Sequence, residues 1–254
     1  MTVYDRSSYI HTDSSLKKDL LKLFNKSDKL IILDVGGCEG EESIRYSRIF
    51  PDSSIYIFEP ILSNQKLISK NILKYNANKI ELIPFAVSDE DGFSQIHVSS
   101  GHPDYQPNNL DWNFGNKSSS LLQPDKINSP NWLKFNEKTS IQTITLDSFL
   151  SLKKIEEIDF IHMDVQGAEL KVLMGAKSYL KNIKTMWLEV SEVELYKNQP
   201  LRKDIESFMK SNGFCLVKSE IENKVGDQFY VNKKYFRYFK FFNKKIQFRI
   251  RNSK

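Results

Sequence analysis

The sequence has little of what marks several large classes of protein. Only two cysteines, Cys38 and Cys215, occur among 254 residues, too few for a disulfide framework or a Cys/His zinc site. The 10 glycines and 8 prolines exclude collagen-like and low-complexity chains. No apolar run approaches the ~20 residues that cross a bilayer, and the charged N-terminal residues lack the apolar core of a signal peptide. We therefore expect a cytoplasmic globular protein with reduced cysteines.

The excess of positive charge lies at one end of the chain. The net charge is +5, yet nine Lys and Arg side chains and no acidic one follow Asn232, so the preceding residues are mildly acidic. A mildly acidic body argues against a nucleic-acid surface, and we expect no nucleic-acid partner. The tail interleaves its cations with aromatic residues. It either docks on the domain as a final helix or contacts an anionic membrane surface peripherally.

Short apolar runs alternate with segments of helical periodicity through most of the chain. The predicted strands are 30–35, 54–60, 80–87, 141–146, 158–165 and 185–190. The predicted helices are 15–24, 41–50, 64–75, 146–152, 167–180 and 202–212. This alternation predicts an α/β fold with a doubly wound parallel sheet. An antiparallel pair, 214–218 and 228–231, is expected to close the sheet across a turn at Gly226-Asp227.

Residues 94–140 interrupt this alternation. The segment is rich in Ser, Asn, Pro and Gly, and it contains the polar run Asn116-Lys117-Ser118-Ser119-Ser120. A long irregular stretch inside a compact domain is typical of a functional lid or a disordered insertion. We interpret it as an insertion that covers the substrate. The chain then divides into an N-terminal helical lead-in (1–29), the main domain (30–232) and the basic tail (233–254).

The turn after the first predicted strand contains Gly36, Gly37 and Gly40, which follow Asp34. Glycines permit backbone to approach a ligand closely, and the start of the next helix favours an anionic group. No Lys follows the last glycine, as a nucleotide-phosphate loop requires, and the spacing is not the Gly-x-Gly-x-x-Gly of dinucleotide sites. A tight turn with no ligand remains an alternative for this loop alone.

Glu59 ends the second predicted strand, in Phe58-Glu59-Pro60, about 20 residues after the glycine loop. A carboxylate at this place in a Rossmann-like unit accepts hydrogen bonds from ribose hydroxyls. Together with a loop that lacks phosphate-binding spacing, it favours S-adenosylmethionine over NAD. The alternative is a carboxylate at the strand end that simply faces water.

Five motifs follow one another along the chain: Asp34-Val35-Gly36-Gly37-Cys38-Glu39-Gly40, Phe58-Glu59-Pro60, Phe85-Ala86-Val87-Ser88-Asp89, Thr145-Leu146-Asp147 and Asp159-Phe160-Ile161-His162-Met163-Asp164-Val165-Gln166-Gly167-Ala168-Glu169. In their residues and their order they resemble the motifs of the FkbM family of methyltransferases. The resemblance implies a Rossmann-like class I methyltransferase. Its mostly parallel seven-stranded sheet carries helices on both faces and an antiparallel last strand. It also implies methylation of a hydroxyl, often on a sugar.

The same resemblance assigns roles to residues around S-adenosylmethionine. Asp34 and the loop Gly36, Gly37, Cys38, Glu39 and Gly40 would hold the methionine end. Glu59 and Pro60 would hold the ribose, Ala86 and Val87 would line the adenine, and Asp164 would lie near the methyl group. The chain departs from the family pattern at Gly37 and Cys38, where Ala and Asn are usual. It also departs at His162 and Gln166, which replace Lys and Glu.

Three residues are candidates for catalysis: Asp164, His162 and Glu189. Asp164 and His162 lie two apart on one strand and so point to the same face, and histidine suits general base work at neutral pH. His162 could equally be a buried histidine satisfied by its neighbours, and Asp164 could only position the donor. Glu189 ends the fifth parallel strand at the same rim and is a possible acceptor contact. Glu169 starts the next helix, and the spacing demands no metal ion.

Several functions stay open on the sequence alone. The leading interpretation is an S-adenosylmethionine-dependent O-methyltransferase that acts on a sugar or glycan hydroxyl. The first alternative is methylation of another small metabolite on oxygen or nitrogen. The second is a non-methylating protein that binds NAD or a nucleotide sugar, and the third is a membrane or nucleic-acid binding module that acts through the tail.

Overall fold

The computed structural model describes residues 5–107, 110–125 and 127–236. Within these ranges the α-helices are α1 (Arg6–His11), α2 (Lys17–Leu23), α3 (Glu41–Ile49), α4 (Leu62–Lys74), α5 (Leu146–Lys153), α6 (Glu169–Met174) and α7 (Arg202–Ser211). The strands are β1 (Ile31–Val35), β2 (Ser54–Phe58), β3 (Ile80–Ile83), β4 (Ala86–Val87), β5 (Gly92–Ser100), β6 (Lys134–Ile144), β7 (Ile158–Met163), β8 (Ile183–Ser191), β9 (Phe214–Glu222) and β10 (Val225–Asn232). The basic tail from residue 237 onward lies outside the described residues.

The central sheet has seven strands in the order β3-β2-β1-β7-β8-β10-β9. The five strands from β3 to β8 run parallel, and β10 pairs antiparallel with both β8 and β9. The predicted α/β class, the mostly parallel seven-stranded sheet and the antiparallel last strand are therefore confirmed. Strand order reverses between β1 and β7, and open α/β sheets bind their ligands at such a switch point.

Both faces of the sheet are buried under helices. Along β1, Ile32 packs with α2, α3 and α4 on one face, and Leu33 packs with α5, α6 and α7 on the other. This explains why the central strands are continuous apolar runs rather than alternating ones. No α-helix in the described ranges is long and apolar enough to cross a membrane.

Residues 94–140 are more regular than predicted. Strand β5 continues to Ser100 and β6 begins at Lys134, and the two pair antiparallel in a small second sheet of order β4-β6-β5. The strand predicted at 141–146 covers the end of β6, whereas residues 134–140 are mostly exposed and polar and show neither an apolar run nor an alternation that marks a strand. Among the described residues from 101 to 133 no α-helix or named strand forms, and a short 3-10 turn lies at Gly115–Lys117.

Two further details differ from the sequence prediction. The segment 80–87 is not one strand, because Pro84, which has no N–H to donate, separates β3 from β4. The last hairpin turns at Asn223 and Lys224, with φ of 49° and 75°, rather than at Gly226-Asp227. Two positive φ values define the tight hairpin turn that asparagine favours, and Gly226 lies inside β10, opposite Val190 and Ile221.

Helix α1 was not predicted, and it ties the N-terminal residues to the main domain. The Arg6 side chain is buried and forms ion pairs with Glu39, Glu41 and Asp111. The first two belong to the glycine loop and the start of α3, and the third belongs to the irregular segment 101–133. One guanidinium therefore joins three parts of the chain that are distant in sequence.

Gly36→Ala should destabilise the protein strongly. Gly36 has a φ of 89°, and a Cβ added there would lie 1.9 Å from the carbonyl oxygen of Asp164. Positive φ costs a non-glycine residue about 1–2 kcal/mol, and forced overpacking adds about 1–3 kcal/mol. We expect the free energy of unfolding, measured by urea denaturation, to fall by about 2–5 kcal/mol.

Gly213→Ala is the matched control for that variant. Gly213 has a φ of 85°, and nothing lies within 4 Å of an added Cβ. The free energy of unfolding of Gly213→Ala should fall only by the cost of a positive φ for alanine, about 1–2 kcal/mol. If both variants lose the same free energy of unfolding, Gly36 is not packed against the carbonyl oxygen of Asp164.

Candidate active site

A cavity opens at the carboxyl ends of β1, β2 and β7, at the switch point of the sheet. The predicted site residues that line it are Asp34, Gly36, Gly37, Cys38, Glu59, Pro60, Ala86, Val87, His162 and Asp164. Residues predicted from four separate sequence motifs thus meet around one space. Glu39, Gly40 and Glu189, also predicted, do not line it.

The glycine loop is held tightly against β2. The N–H groups of Gly36 and Gly37 donate to the carbonyl oxygen of Phe58 at 3.1 and 3.0 Å. A Cβ at Gly37 would lie 2.2 Å from Cγ1 of Ile57, so only glycine fits there without a shift. Cys38 has a φ of 49°, a conformation that asparagine adopts more readily than cysteine. That preference explains why Asn is usual at this place.

Glu59 is buried beside this loop. Its Oε2 accepts a hydrogen bond from the Cys38 N–H at 3.1 Å, and its Oε1 accepts one from the Ile61 N–H at 2.8 Å. Burial raises the pKa of Glu59 to about 7, although the hydrogen bonds from Ile61, Asn64 and Cys38 oppose the rise. The carboxyl group is therefore fixed in orientation before any ligand arrives.

Donor affinity should depend on pH through Glu59. Ribose hydroxyls donate hydrogen bonds, so they bind the ionised carboxylate better than the neutral acid. Because the pKa is raised to about 7, affinity for S-adenosylhomocysteine should fall as the pH drops from 8 to 5.5, by up to tenfold per unit below 7. Calorimetric titration across this range measures the effect. The same profile in Glu59→Gln would contradict it.

One half of the cavity is apolar. Its walls combine Ala86 and Val87 of β4 with Ile61, Ile96 and Leu121. Such a surface suits the flat face of an adenine ring. Ile96 and Leu121 lie in the segment 94–140, whose composition indicated a lid but did not single out these two residues.

The other half is polar and contains residues that the sequence reasoning missed. Tyr9 of α1 and Trp112 of the irregular segment contact each other, with ring centroids 5.1 Å apart. Glu41 and Glu42 of α3 and Lys117 complete this wall. Glu41 and Glu42 follow the glycine loop directly and Lys117 belongs to the polar run of the segment 94–140, whereas nothing in the sequence pointed to Tyr9.

Glu39 points away from the cavity and is fully buried. Its carboxylate accepts hydrogen bonds from the Arg6 guanidinium and from Nδ2 of Asn116, the latter at 2.7 Å. Its carbonyl oxygen accepts one from Nδ2 of Asn71 at 2.8 Å. These contacts fix the far side of the glycine loop and its junction with the irregular segment.

Asp164 stands in a cluster of three carboxyl groups with Glu169 and Glu189, whose oxygens lie within 4.8 Å of one another. Nε2 of Gln166 donates to Oδ1 of Asp164 at 2.6 Å and to Oε2 of Glu189 at 3.0 Å. Glu169 accepts from the N–H groups of Val165 and Gly167. The cluster is therefore bridged by hydrogen-bond donors of the chain itself, and Asp164 is its one member that faces the cavity.

Burial controls the protonation of the other two members. It raises the pKa of Glu169 to about 7 and that of Glu189 well above its ordinary value, and the neighbouring Asp164 adds to both shifts. Near neutral pH these groups hold protons readily. This reduces the repulsion that three carboxylates at such distances would otherwise suffer.

His162 lies beside Asp34 and under Tyr46. Its Nδ1 is 3.2 Å from the Tyr46 hydroxyl and 3.9 Å from Oδ1 of Asp34. Oδ2 of Asp34 accepts a hydrogen bond from the Ser43 hydroxyl at 2.6 Å. Burial raises the pKa of Asp34, and the nearby His162 opposes this. His162 is thus both a cavity wall and a hydrogen-bonded part of the interior.

The glycine loop after β1, the carboxyl group at the end of β2 and the closing antiparallel strand define a class I methyltransferase. Residues 34–216 match the family described as the methyltransferase FkbM domain. A 2-O-methyltransferase, NoeI of Sinorhizobium fredii (strain NBRC 101917 / NGR234), is 33% identical over 193 residues, which cover 74% of this chain and 75% of that protein. The chain belongs to the FkbM methyltransferase family. It is an enzyme, and its methyl donor is S-adenosylmethionine.

Solved structures resemble the fold only loosely. The fibrillarin pre-rRNA processing protein of Methanococcus jannaschii is 12% identical, with a TM-score of 0.48 over 87% of this chain and 76% of that one. TrmK of M. capricolum, solved with S-adenosylhomocysteine, is 13% identical, with a TM-score of 0.46 over 88% and 70%. The class of fold rests on the strand order of the sheet itself.

The residues around the cavity fit this donor. Two glycines leave no room for a side chain between the loop and its neighbours, the fixed carboxyl group of Glu59 would accept hydrogen bonds from ribose hydroxyls, and the apolar half suits adenine. S-adenosylmethionine supplies an electrophilic methyl group on a sulfonium when it is bound. The polar half of the cavity would then be left for the amino-acid part of the donor.

Proposed function

We propose that this protein transfers a methyl group from S-adenosylmethionine to a hydroxyl oxygen of a sugar or glycan. The observation that carries the proposal is the likeness to a 2-O-methyltransferase over three quarters of both chains. The polar half of the cavity supports it, because carboxyl groups beside the aromatic Tyr9 and Trp112 offer acceptors for hydroxyl protons and apolar surface for the C–H face of a sugar ring.

We propose that Asp164 acts on the acceptor directly. It is the member of the carboxyl cluster that faces the cavity, and Gln166 holds its Oδ1 at 2.6 Å. It would accept a hydrogen bond from the attacking hydroxyl and orient one oxygen lone pair towards the methyl group. Methyl transfer from a sulfonium depends strongly on such alignment, and the developing oxonium then releases its proton to a nearby base.

His162 is the other candidate for that base, but it takes a different role when the Tyr46 hydroxyl donates a hydrogen bond to its Nδ1. The Tyr46 phenol keeps its proton, because burial raises its pKa well above the ordinary value. It can donate this proton to Nδ1, in which case the neutral imidazole carries its own proton on Nε2. His162 would then act as a donor to the acceptor and Asp164 as the base. Glu189 would act through Asp164 and Gln166, since it does not reach the cavity.

We further propose that residues 101–133 cover the acceptor as well as the donor. This segment supplies Trp112, Asn116, Lys117 and Leu121 to the cavity wall. The N-terminal residues supply Tyr9, so the lead-in predicted from the sequence belongs to the active site. Peripheral membrane contact through residues 233–254 remains a proposal that lipid-vesicle sedimentation of the full chain can test.

A panel of acceptors tests the function. The measurement is release of S-adenosylhomocysteine with neutral mono- and oligosaccharides, their 2-deoxy counterparts, amino sugars and small phenols. We expect turnover with a saccharide and none with the counterpart that lacks the methylated hydroxyl. Turnover confined to amines or to phenols would contradict the proposal and favour a different acceptor on the same fold.

A further inference from the structure

The cavity carries a marked imbalance of charge. Five of the side chains that line it are acidic: Asp34, Glu41, Glu42, Glu59 and Asp164. Among the described residues that line it, Lys117 is the sole permanent cation, and His162 is a cation only when protonated. An anionic group that enters this space therefore has one strong electrostatic partner among the lining side chains.

Lys117 stands next to the glycine loop. Its Nζ lies 3.2 Å from Oε1 of Glu41, 3.9 Å from Sγ of Cys38 and 4.2 Å from the centre of the Trp112 ring. Burial alone would lower the pKa of Lys117, but Cys38 and Glu41 raise it above the ordinary value. The ammonium group is thus charged and within reach of the backbone that faces the donor.

S-adenosylmethionine brings both charges of an amino acid into this half of the cavity. Its α-ammonium can pair with several carboxylates, whereas its α-carboxylate would meet mostly like charges. We propose that Lys117 binds the α-carboxylate of the donor. Glu41 tolerates the loss of Lys117, because Nε of Arg6 lies 3.5 Å from the same Oε1.

The alternative is that Lys117 contacts the acceptor. A neutral sugar hydroxyl needs no full positive charge, and the polar half already offers Asp164, Glu42 and Tyr9 to it. Among the charged side chains of the described residues that line the cavity, the donor carboxylate has Lys117 as its one permanently charged partner. The assignment to the donor goes beyond the proposed acceptor and holds or fails independently of it.

Calorimetric titration with two ligands tests the assignment. S-adenosylhomocysteine has the α-carboxylate, and its decarboxylated analogue has the same adenosine, thioether and amine without it. Lys117→Ala should weaken binding of S-adenosylhomocysteine on the order of tenfold to a hundredfold, as expected for a charged hydrogen bond. It should leave the affinity for the decarboxylated analogue within about twofold, and Lys117→Arg should retain most of the affinity for the complete ligand.

Lys171→Ala is the matched control, because Lys171 forms an ion pair with Asp89 at 3.0 Å away from the cavity. It should leave both affinities unchanged. Equal losses for the two ligands in Lys117→Ala would mean that Lys117 only supports the loop, and unchanged affinity for S-adenosylhomocysteine would assign it to the acceptor. Either result overturns the proposal. If Lys117→Ala does not fold, Lys117→Gln takes its place. The wild-type protein must itself bind S-adenosylhomocysteine at least about tenfold more tightly than the decarboxylated analogue.

Discussion

Glu59→Ala should weaken binding of S-adenosylhomocysteine by more than tenfold. The substitution removes the acceptor for the ribose hydroxyls, and it also leaves the Cys38 and Ile61 N–H groups without the partner they have now. Each hydrogen bond to a charged group contributes about 1.5–3 kcal/mol, so the loss of two ribose contacts can exceed a hundredfold. Isothermal calorimetry measures the affinity, and a thermal denaturation curve checks that the variant is folded.

Glu81→Ala is the control for this variant. Glu81 lies on the neighbouring strand β3, is half exposed and pairs with Lys153 on the surface. It should bind the donor product as the wild type does. Unchanged affinity in Glu59→Ala would show that the ribose is not held at the end of β2, and the orientation of the donor in the cavity would then be wrong.

Asp164→Asn should lower turnover far more than donor binding. The amide keeps the size of the side chain but cannot take a proton or hold the negative charge that orients the attacking hydroxyl. General base catalysis contributes about 10²–10⁴-fold, so we expect kcat to fall by at least about a hundredfold. Affinity for S-adenosylhomocysteine should change by less than about fivefold, because the proposal assigns Asp164 to the acceptor and not to the ribose or the adenine.

Asp89→Asn serves as the control for Asp164→Asn, since Asp89 pairs with Lys171 on the surface. Its turnover should match the wild type. If Asp164→Asn weakens donor binding as much as it lowers kcat, Asp164 positions the donor and the base lies elsewhere. His162→Gln would then be the variant to measure, with its kcat and its affinity for S-adenosylhomocysteine compared with those of the wild type.

The central sheet, the glycine loop and the position of Glu59 were predictable from the sequence because all three depend on local sequence patterns. Strands buried on both faces are continuous apolar runs, and parallel strands bring their carboxyl ends to one edge. The glycines after β1 and Glu59 after β2 therefore had to lie close together. A strained turn and a buried carboxyl group leave signals in the sequence that are independent of the rest of the chain.

The polar half of the cavity could not be predicted in the same way. Tyr9 and Trp112 meet through long-range packing of a short helix and an irregular segment, and neither has a local pattern that points to a ligand. Arg6 is ordinary in the sequence, yet its ion pairs with Glu39 and Asp111 hold these parts together. The first part of β6, residues 134–140, was missed for a related reason, because most of its side chains face water.

The most direct test of the account follows the methyl group itself. The full-length enzyme is incubated with S-adenosylmethionine carrying a ¹³C methyl group and with a saccharide acceptor, and the product is examined by ¹H–¹³C correlation NMR before and after alkali treatment. If the enzyme methylates a sugar hydroxyl, we expect one new methyl ether, stable to alkali, whose protons correlate with a sugar ring carbon. A methyl group on nitrogen, or an alkali-labile methyl ester, would contradict it.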